Sequence, residues 1–416
     1  MLKFIKNTPY IEDTSLDDIC KVCETPFYVY SQEVIQNKVK MIKKILGKNI
    51  FFSVKSNSNQ AILKLMKNLE IGADVVSIGE LKRALSAGFS KDKIIFEGVG
   101  KSKDDLLYAI QKNIRLINTE SLEEIKLLEK LGNEKNIKIN IGVRLNPDID
   151  GNTINKISTG KKTDKFGIEI DDIEKIINLI KNSNYLNLIG ISCHIGSQIS
   201  KIDIYKKTFK EMKNAADQFV SAGIKIKHVD LGGGFHVRYK DDDPNFKIED
   251  LKNELNKCFG NSKYDLSFEP GRYLIAEAGI LITSIITMKQ NGGINYLIVD
   301  AGMNTLVRPA MYDAYHKIES INNKSDKNIL YAVAGPICES SDIFQKKINL
   351  PKQSIGDLLV IKDTGAYGKV MSSNYNSRSL PSEVLVNKDR YAIIYYSEKI
   401  EKYINEDVVP SWLESI

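Results

Sequence analysis

The alternation of short apolar runs with helical stretches limits the fold of this chain more than any other sequence feature. In the stretches between these runs, apolar residues recur at every third or fourth position and lysines and glutamates occupy the opposite face, which is the pattern of a helix. Strands that alternate with helices of this length predict parallel βαβ units. The eight runs, each of strand length and most of them rich in β-branched or aromatic residues, are 50–54, 73–77, 93–96, 114–117, 139–144, 188–192, 227–231 and 264–268.

Eight such units over about 230 residues predict a (β/α)8 barrel, and an open, doubly wound sheet is the alternative that the same pattern allows. From about Gly279 onward, strand-like runs follow one another without long helices, which predicts an all-β domain, an antiparallel sandwich or barrel. The first barrel strand begins only near Ile50. We therefore expect residues 27–278 to form the barrel domain and residues 1–26 to pack with residues 279–416.

The charge pattern argues against a nucleic-acid partner. The chain has 59 lysines and arginines against 53 acidic residues, a net charge of +6 spread over 416 residues, and the lysines are scattered among acids. A dedicated nucleic-acid binder has a stronger and more clustered basic bias. The N-terminus has no apolar run of signal-peptide length, and no stretch approaches about 18 uncharged apolar residues, so we expect no membrane span and a cytoplasmic location.

The cysteines point to the same compartment. They are five in number, which is odd, and they are spread along the chain, so a disulfide scaffold is not expected and a reducing cytoplasm is. Cys20 and Cys23 have a C-x-x-C spacing, but no second pair or histidine cluster follows, and we predict no metal site.

Chemically active residues follow several of the predicted barrel strands, and the carboxyl ends of barrel strands are where active sites form. Lys55 follows the first strand and His194 the sixth, three glycines (232–234) follow the seventh, and Glu269 ends the eighth. Each has an ordinary structural interpretation by itself, such as a lysine that reaches water or a buried histidine. Together they supply a Schiff-base lysine, a phosphate loop and a carboxylate for a pyridine nitrogen, which is what a pyridoxal phosphate site requires.

An ordered series of motifs carries a family resemblance through nearly the whole chain. The motifs lie at 53–57, 72–77, 165–167, 194–198, 230–234, 269–272, 299–304, 308–312, 335–340, 365–368 and 373–378. On these motifs the chain resembles the diaminopimelate decarboxylases, which belong to the fold-type III pyridoxal-phosphate decarboxylases and share the alanine-racemase-like barrel.

The resemblance implies a pyridoxal 5'-phosphate cofactor with specific contacts. Lys55 would bind the cofactor aldehyde covalently, His194 would stack on the ring, and Glu269 would pair with the pyridine nitrogen. The phosphate would be held by Ser197, Gly233, Gly234, Gly271 and Arg272, with Tyr367 nearby.

The resemblance also implies the reaction, which converts meso-2,6-diaminopimelate to L-lysine and CO2 in the last step of lysine biosynthesis. Cys338 would protonate the carbanion after CO2 leaves, and Glu339 would bind the distal ammonium of the substrate. Both would come from the partner subunit of a homodimer with shared active sites. The distal carboxylate would be held by Arg272, Arg308 and Tyr312, with Tyr367 beside them.

Rival functions remain on the same fold. A decarboxylase of carboxynorspermidine, arginine or ornithine is the nearest, but a substrate with a second amino-acid head needs both a cation and an anion partner, which Arg308 and Glu339 supply. An amino-acid racemase and a non-catalytic cofactor-binding homologue are the others. The chain departs from the common family pattern at Ser53, Ser56, His236 and Ile154, and none of these is a primary catalytic group.

Overall fold

A computed structural model describes residues 1–5, 8–151, 159–321 and 327–413. Two compact units form the chain: a continuous one, Ile35–Ile275, and one built from two segments, Met1–Val34 and Ala276–Ile416. Across the described ranges, no helix is long and apolar enough to cross a membrane. The sequence departure at Ile154, with its neighbours Thr153 and Ser158, lies outside the described residues.

The N-terminal segment begins with a small antiparallel sheet and leads into a buried strand. Ser15 caps the first helix by accepting a hydrogen bond from the Asp17 amide. The elements, in order, are β1 (Leu2–Ile5), β2 (Thr8–Ile11), β3 (Thr14–Ser15), α1 (Leu16–Cys20), β4 (Phe27–Ser31) and α2 (Gln32–Leu46).

The continuous unit contains a parallel sheet of eight strands with a short additional strand, β10, paired to β9. The order β13-β12-β11-β9-β8-β7-β6-β5 follows the chain, and a parallel bridge from Ile50 to Phe268 joins its two ends. The predicted (β/α)8 barrel is therefore confirmed. Its strands are β5 (Phe51–Ser53), β6 (Gly72–Val75), β7 (Ile94–Phe96), β8 (Leu116–Thr119), β9 (Ile139–Asn146), β10 (Ile168–Glu169), β11 (Leu186–Ser192), β12 (His228–Asp230) and β13 (Asp265–Ser267).

Helices follow the barrel strands, and polar caps start several of them. The side chains of Asn59, Ser77, Ser102 and Ser121 each accept a hydrogen bond from a backbone amide in the first turn of the helix they precede. These loops carry the chain from each strand's carboxyl end into the next helix. The helices are α3 (Gln60–Asn68), α4 (Ile78–Ser86), α5 (Lys103–Lys112), α6 (Leu122–Lys135), α7 (Ile173–Lys181), α8 (Ile202–Ser221), α9 (Glu249–Phe259) and α10 (Arg272–Ile275).

The unit of two segments is dominated by a second sheet, to which β4 belongs. Seven strands run in the order β18-β17-β15-β14-β4-β20-β21, and β19 pairs with β14 and with β16. Its elements after the barrel are β14 (Gly279–Asn291), β15 (Ile294–Val299), α11 (Arg308–Tyr312), β16 (Ile318–Ser320), β17 (Asn328–Ala334), β18 (Ile343–Pro351), β19 (Leu358–Ile361), β20 (Ser382–Asn387), β21 (Arg390–Tyr395) and α12 (Ile400–Glu406).

This sheet is mixed, whereas the sequence predicted an antiparallel one. The pairs β15–β17 and β4–β20 are parallel. Parallel neighbours need a crossover connection, and the chain between β15 and β17 supplies one through α11 and β16. Short turns rich in glycine and serine predicted only hairpins.

The boundary between the units also differs from the expected one at residues 27 and 278. The structure divides the chain after Val34 and after Ile275. The cause is β4, which is fully buried and pairs with β14 from Tyr30↔Gly279 to Phe27↔Ile282. An apolar run in this position gives no sign of which sheet it joins.

Candidate active site

Lys55 lies at the carboxyl end of the first barrel strand, in a short 3-10 turn (Val54–Ser56). Its ammonium Nζ is 3.5 Å from Oδ2 of Asp74, a fully buried residue of the neighbouring strand β6. The same oxygen accepts a 2.7 Å hydrogen bond from the Ser53 hydroxyl, so this departure from the family pattern supports the aspartate. The Lys55 side chain keeps 39% of its surface exposed, which leaves the amine accessible at this end of the barrel.

Buried carboxylates also follow neighbouring barrel strands, and the buried Arg144 lies among them. Arg144, at the end of β9, places Nη1 3.1 Å from Glu120 and 3.9 Å from Glu97. Burial raises the pKa of Glu97 to about 7 even though Arg144 opposes the shift. Sequence reasoning did not assign Asp74, Glu97 or Arg144 to the site. The available signal was that each is a charged residue at or near the end of a strand.

Glu269 lies two residues after β13 and is 6% exposed. Burial raises the pKa of its carboxyl group well above the usual range, and the nearby carboxylates of Asp230 and Asp74 add to the shift. Its Oε1 receives no hydrogen bond from the residues that the structure describes. A buried carboxyl oxygen without a donor is unfavourable, so this atom marks a place where a ligand with an N–H group would be stabilised.

The glycine loop after β12 brings backbone atoms closer together than any side chain would permit. A Cβ atom on Gly233 would lie 2.4 Å from the Glu269 carbonyl oxygen. Gly234 has a φ of +76°, and a Cβ there would lie 2.1 Å from the Gly196 carbonyl oxygen. Glycines are therefore required at both positions, because the backbone of this loop packs directly against the carbonyl groups of its neighbours.

An arginine stands beside that loop. Arg272 begins α10, directly after Gly271, and its Nε and Nη2 each donate to the Ser197 hydroxyl at 3.3 Å. Nη1 donates to the Tyr239 hydroxyl at 3.0 Å. The guanidinium group is thus fixed in a buried position next to a hydroxyl and a glycine loop, which is the chemistry of a phosphate site.

His194 follows β11 and is held as a neutral imidazole. The Gly233 amide donates a hydrogen bond to its Nδ1 at 3.4 Å, so this nitrogen carries no proton. Burial lowers the pKa of His194 well below the usual range, with contributions from Lys55 and Arg144. A neutral, flat ring beside the lysine is suited to stacking on an aromatic ligand.

His236, the departure in the loop after the three glycines, is 9% exposed. Burial lowers the pKa of its imidazole. The loop keeps its shape through Gln198, whose side-chain amide accepts from the Val237 amide at 3.0 Å and donates to the Val237 carbonyl at 2.8 Å. The substitution therefore leaves the backbone of the loop tied to the motif that contains Ser197.

The residues described above lie at the carboxyl ends of the barrel strands, and we call this region the barrel mouth. The structure brings together eight of the predicted site residues there: Lys55, His194, Ser197, Gly233, Gly234, Glu269, Gly271 and Arg272.

The other predicted site residues belong to the second unit. Arg308, which is buried, and Tyr312 begin and end α11. Cys338 and Glu339 are exposed neighbours on the turn between β17 and β18, and Tyr367 follows β19 with a φ of +56°.

The turn that carries Cys338 and Glu339 is tied to a second turn. The Cys338 amide donates to the Asn376 side chain at 3.0 Å, and the Tyr375 hydroxyl donates to Glu339 at 2.6 Å. We call these residues, with Tyr375 and Asn376, the exposed turn. Local hydrogen bonds hold the Cys338 backbone amide and the Glu339 carboxylate, while both side chains remain exposed.

Comparisons with known proteins give a consistent picture. The family model for the pyridoxal-binding domain of pyridoxal-dependent decarboxylases matches residues 32–276. The chain is 39% identical to the diaminopimelate decarboxylase of Campylobacter jejuni over 91% of this chain and 95% of that one, and 36% identical to that of Pseudomonas aeruginosa over 96% and 97%. A crystal structure of diaminopimelate decarboxylase from Helicobacter pylori complexed with L-lysine superposes with a TM-score of 0.90 at 35% identity, covering 94% of this chain and 98% of that one.

Proposed function

The chain belongs to the pyridoxal-dependent decarboxylases, in the branch that contains the diaminopimelate decarboxylases, and from this premise we propose that it converts meso-2,6-diaminopimelate to L-lysine and CO2. This is the last step of lysine biosynthesis. The observation that carries the proposal is the barrel mouth, where Lys55, His194, Glu269 and Arg272 lie at the carboxyl ends of the barrel strands beside a glycine loop. The enzyme is a carboxy-lyase, and its cofactor is pyridoxal 5'-phosphate.

The barrel mouth fits this cofactor by its own chemistry. The buried oxygen Oε1 of Glu269 has no donor among the described residues, and a protonated pyridine nitrogen would supply one. A phosphate would be neutralised by Arg272, with Ser197 and the glycine loop as its other neighbours. When bound, pyridoxal phosphate supplies the electron sink that makes loss of the carboxylate possible.

Each residue of the barrel mouth then has a defined role. Lys55 would hold the cofactor aldehyde, and its accessible amine beside Asp74 is the nucleophile that this requires. His194, kept neutral by burial, would lie flat against the ring without adding a positive charge. Glu269 would hold the ring nitrogen in its protonated form. The phosphate would contact Ser197, Gly233, Gly234, Gly271 and Arg272, with Tyr367 at its edge.

The far end of the substrate requires a second set of contacts. Diaminopimelate carries an amino-acid head there, with a carboxylate and an ammonium group. We assign the carboxylate to Arg308, assisted by Tyr312, Arg272 and Tyr367, and the ammonium to Glu339. An arginine and a carboxylate are the complementary partners for these two charges.

We propose that Cys338 delivers the proton to the carbon from which CO2 departs, and that Cys338 and Glu339 act in the site of a partner subunit within a homodimer. Both residues are exposed on the exposed turn, where their own unit leaves the side chains accessible. Asn376 holds the backbone amide of Cys338, and Tyr375 holds the carboxylate of Glu339. These contacts would keep both residues in place for a partner subunit.

The proposed location is the cytoplasm. All five cysteines are unpaired thiols, including the C-x-x-C pair Cys20 and Cys23, whose pKa values are raised by burial. Thiols in this state suit a reducing compartment.

The decisive experiment measures CO2 release and L-lysine formation from meso-2,6-diaminopimelate after the purified chain is loaded with pyridoxal phosphate. We expect equal amounts of the two products. Parallel assays with ornithine, arginine and carboxynorspermidine test the rival decarboxylases. Turnover of one of these without turnover of diaminopimelate would contradict the proposal, and cofactor binding without any turnover would indicate a non-catalytic homologue.

A further inference from the structure

A buried histidine holds the arginine to which we assign the distal carboxylate. Arg308 is 6% exposed and His316 is 2% exposed. The Nε–H group of Arg308 donates to Nε2 of His316 at 3.1 Å. This contact lies wholly within the unit of two segments and involves a residue to which neither the motifs nor the proposed reaction gives a role.

Local structure explains how the two side chains meet. Helix α11 is short and is followed by Asp313, which has the left-handed backbone conformation with a φ of +52°. The chain reverses there, and the Ala314 amide returns to the Arg308 carbonyl at 3.4 Å. His316 then lies just before β16, with its side chain directed back toward the first residue of the helix.

The opposite side of the imidazole is anchored to the backbone. Nδ1 of His316 is 2.8 Å from the Lys362 carbonyl oxygen, which can only accept, so Nδ1 carries the proton and Nε2 is the acceptor for Arg308. The antiparallel register of β16 and β19 places Lys362 there, as the Lys362 amide also donates to the Lys317 carbonyl at 2.9 Å. The Gln345 side chain donates to the His316 carbonyl at 2.6 Å.

We infer that His316 is a positioning residue for substrate recognition, which fixes the guanidinium of Arg308 so that it receives the distal carboxylate in one orientation. The inference rests on the proposed function. Because Nε donates to His316, a carboxylate that binds in a bidentate manner must use the edge formed by the two Nη groups. A fixed arginine also loses less conformational entropy when the ligand binds, and this increases affinity.

The chemistry of two small ligands separates this role from a general structural one. L-lysine, the product, keeps the distal head with its carboxylate. Pentane-1,5-diamine has the same chain and both amino groups but no carboxylate. A defect in the orientation of Arg308 should therefore weaken binding of L-lysine and leave binding of the diamine unchanged.

The test measures the affinity of the cofactor-loaded dimer for both ligands by titration calorimetry. His316→Leu removes the acceptor at similar volume, and we expect L-lysine affinity to fall about 10- to 100-fold, with diamine affinity within about twofold of the original. His316→Gln places an amide oxygen near the position of Nε2 and should restore most of the lysine affinity. Ser320→Ala is the matched control. Ser320 belongs to strand β16, which follows His316, and the substitution removes its buried hydrogen bond to Gln353 without touching Arg308.

Other outcomes would overturn the inference. Lysine affinity that stays within twofold in His316→Leu excludes a positioning role, and so does an equal loss of lysine and diamine binding. If His316→Leu does not fold, His316→Asn gives the same test, because its shorter side chain cannot reach Nε of Arg308. Failure of the unmodified chain to act on diaminopimelate would instead refute the proposed function, so the two failures are distinguishable.

Discussion

The barrel mouth and the exposed turn place their functional side chains by different means. At the barrel mouth, parallel strands hold the residues in a buried setting, where carboxylates such as Glu97 and Glu269 have raised pKa values because of burial. On the exposed turn, Cys338 and Glu339 lie at the surface, and single hydrogen bonds hold the backbone amide of the first and the carboxylate of the second. The first region is formed by its own unit. The second, in our proposal, acts only when another subunit receives it.

The largest effect should follow the loss of the lysine at the barrel mouth. Lys55→Ala removes the amine that would hold the cofactor, and we expect kcat to fall at least about 1,000-fold. The visible absorbance band of the loaded enzyme, near 410–430 nm, should also disappear. Lys64→Ala, which changes an exposed lysine on α3, should alter neither quantity. Near-normal turnover in Lys55→Ala would refute the role assigned to this residue.

A smaller loss is expected at Glu269, because its role is electrostatic. Glu269→Gln keeps the shape of the side chain but removes the charge that would hold a protonated ring nitrogen, and kcat should fall about 100-fold. The cofactor should remain bound, as judged by its absorbance after dialysis. Glu249→Gln, at the exposed start of α9, is the control. Equal activity in both variants would show that the buried carboxylate is not needed.

The exposed turn should give a more moderate change and a distinctive complementation. Cys338→Ala removes the proposed proton donor and should lower kcat about 10- to 100-fold, whereas Cys258→Ala should have no effect. If Cys338 acts across the subunit interface, random exchange with Lys55→Ala subunits makes half of the dimers hybrids, each with one intact site. The mixture should then recover roughly a quarter of the unmodified activity. Activity no greater than the sum of the separate variants would contradict a shared site.

The smallest expected effect concerns stability and belongs to the barrel alone. The pKa of Glu97 rises from 4.5 to about 7 on folding, so the folded state keeps a proton that the unfolded state releases. The contribution of Glu97 to the free energy of unfolding is therefore greatest below about pH 4.5 and is lost as the pH rises toward 7. We expect Glu97→Gln to make the fall in the free energy of unfolding over this pH range smaller by about 1–3 kcal/mol, measured by urea unfolding of the cofactor-free protein. An unchanged pH dependence would show that Glu97 does not titrate as its burial implies.

The sequence predicted the barrel well because periodicity reports directly on secondary structure. All eight apolar runs became barrel strands, and the residues at their carboxyl ends meet at one mouth. The sequence did not predict that β4 belongs to the second sheet, because Phe27–Ser31 is as apolar as a barrel strand and its partner strands lie far along the chain. Pairing over such distances leaves no local pattern.

The site was predicted less evenly. Lys55, His194 and Glu269 carry motif signals. Asp74 lies within the motif at 72–77 but, like Glu97 and Arg144, it was not assigned to the site, because a charged residue at a strand end has the same sequence pattern whether it is solvated or enclosed. His316 was missed for a similar reason. Besides Arg308, its partner is the backbone carbonyl of Lys362, directly after β19, and carbonyl positions are set by register rather than by residue type.

The position of β4 has a consequence for the order in which the protein can fold during synthesis. The barrel is one uninterrupted segment, so it can fold as soon as Ile275 has left the ribosome. Strand β4 is made earlier but must wait for β14 and then for β20, which ends at Asn387. Both edges of β4 are unpaired before β14 is made, and one edge stays unpaired until β20 is made. Until then the nascent chain carries an exposed apolar strand edge of the kind that chaperones bind.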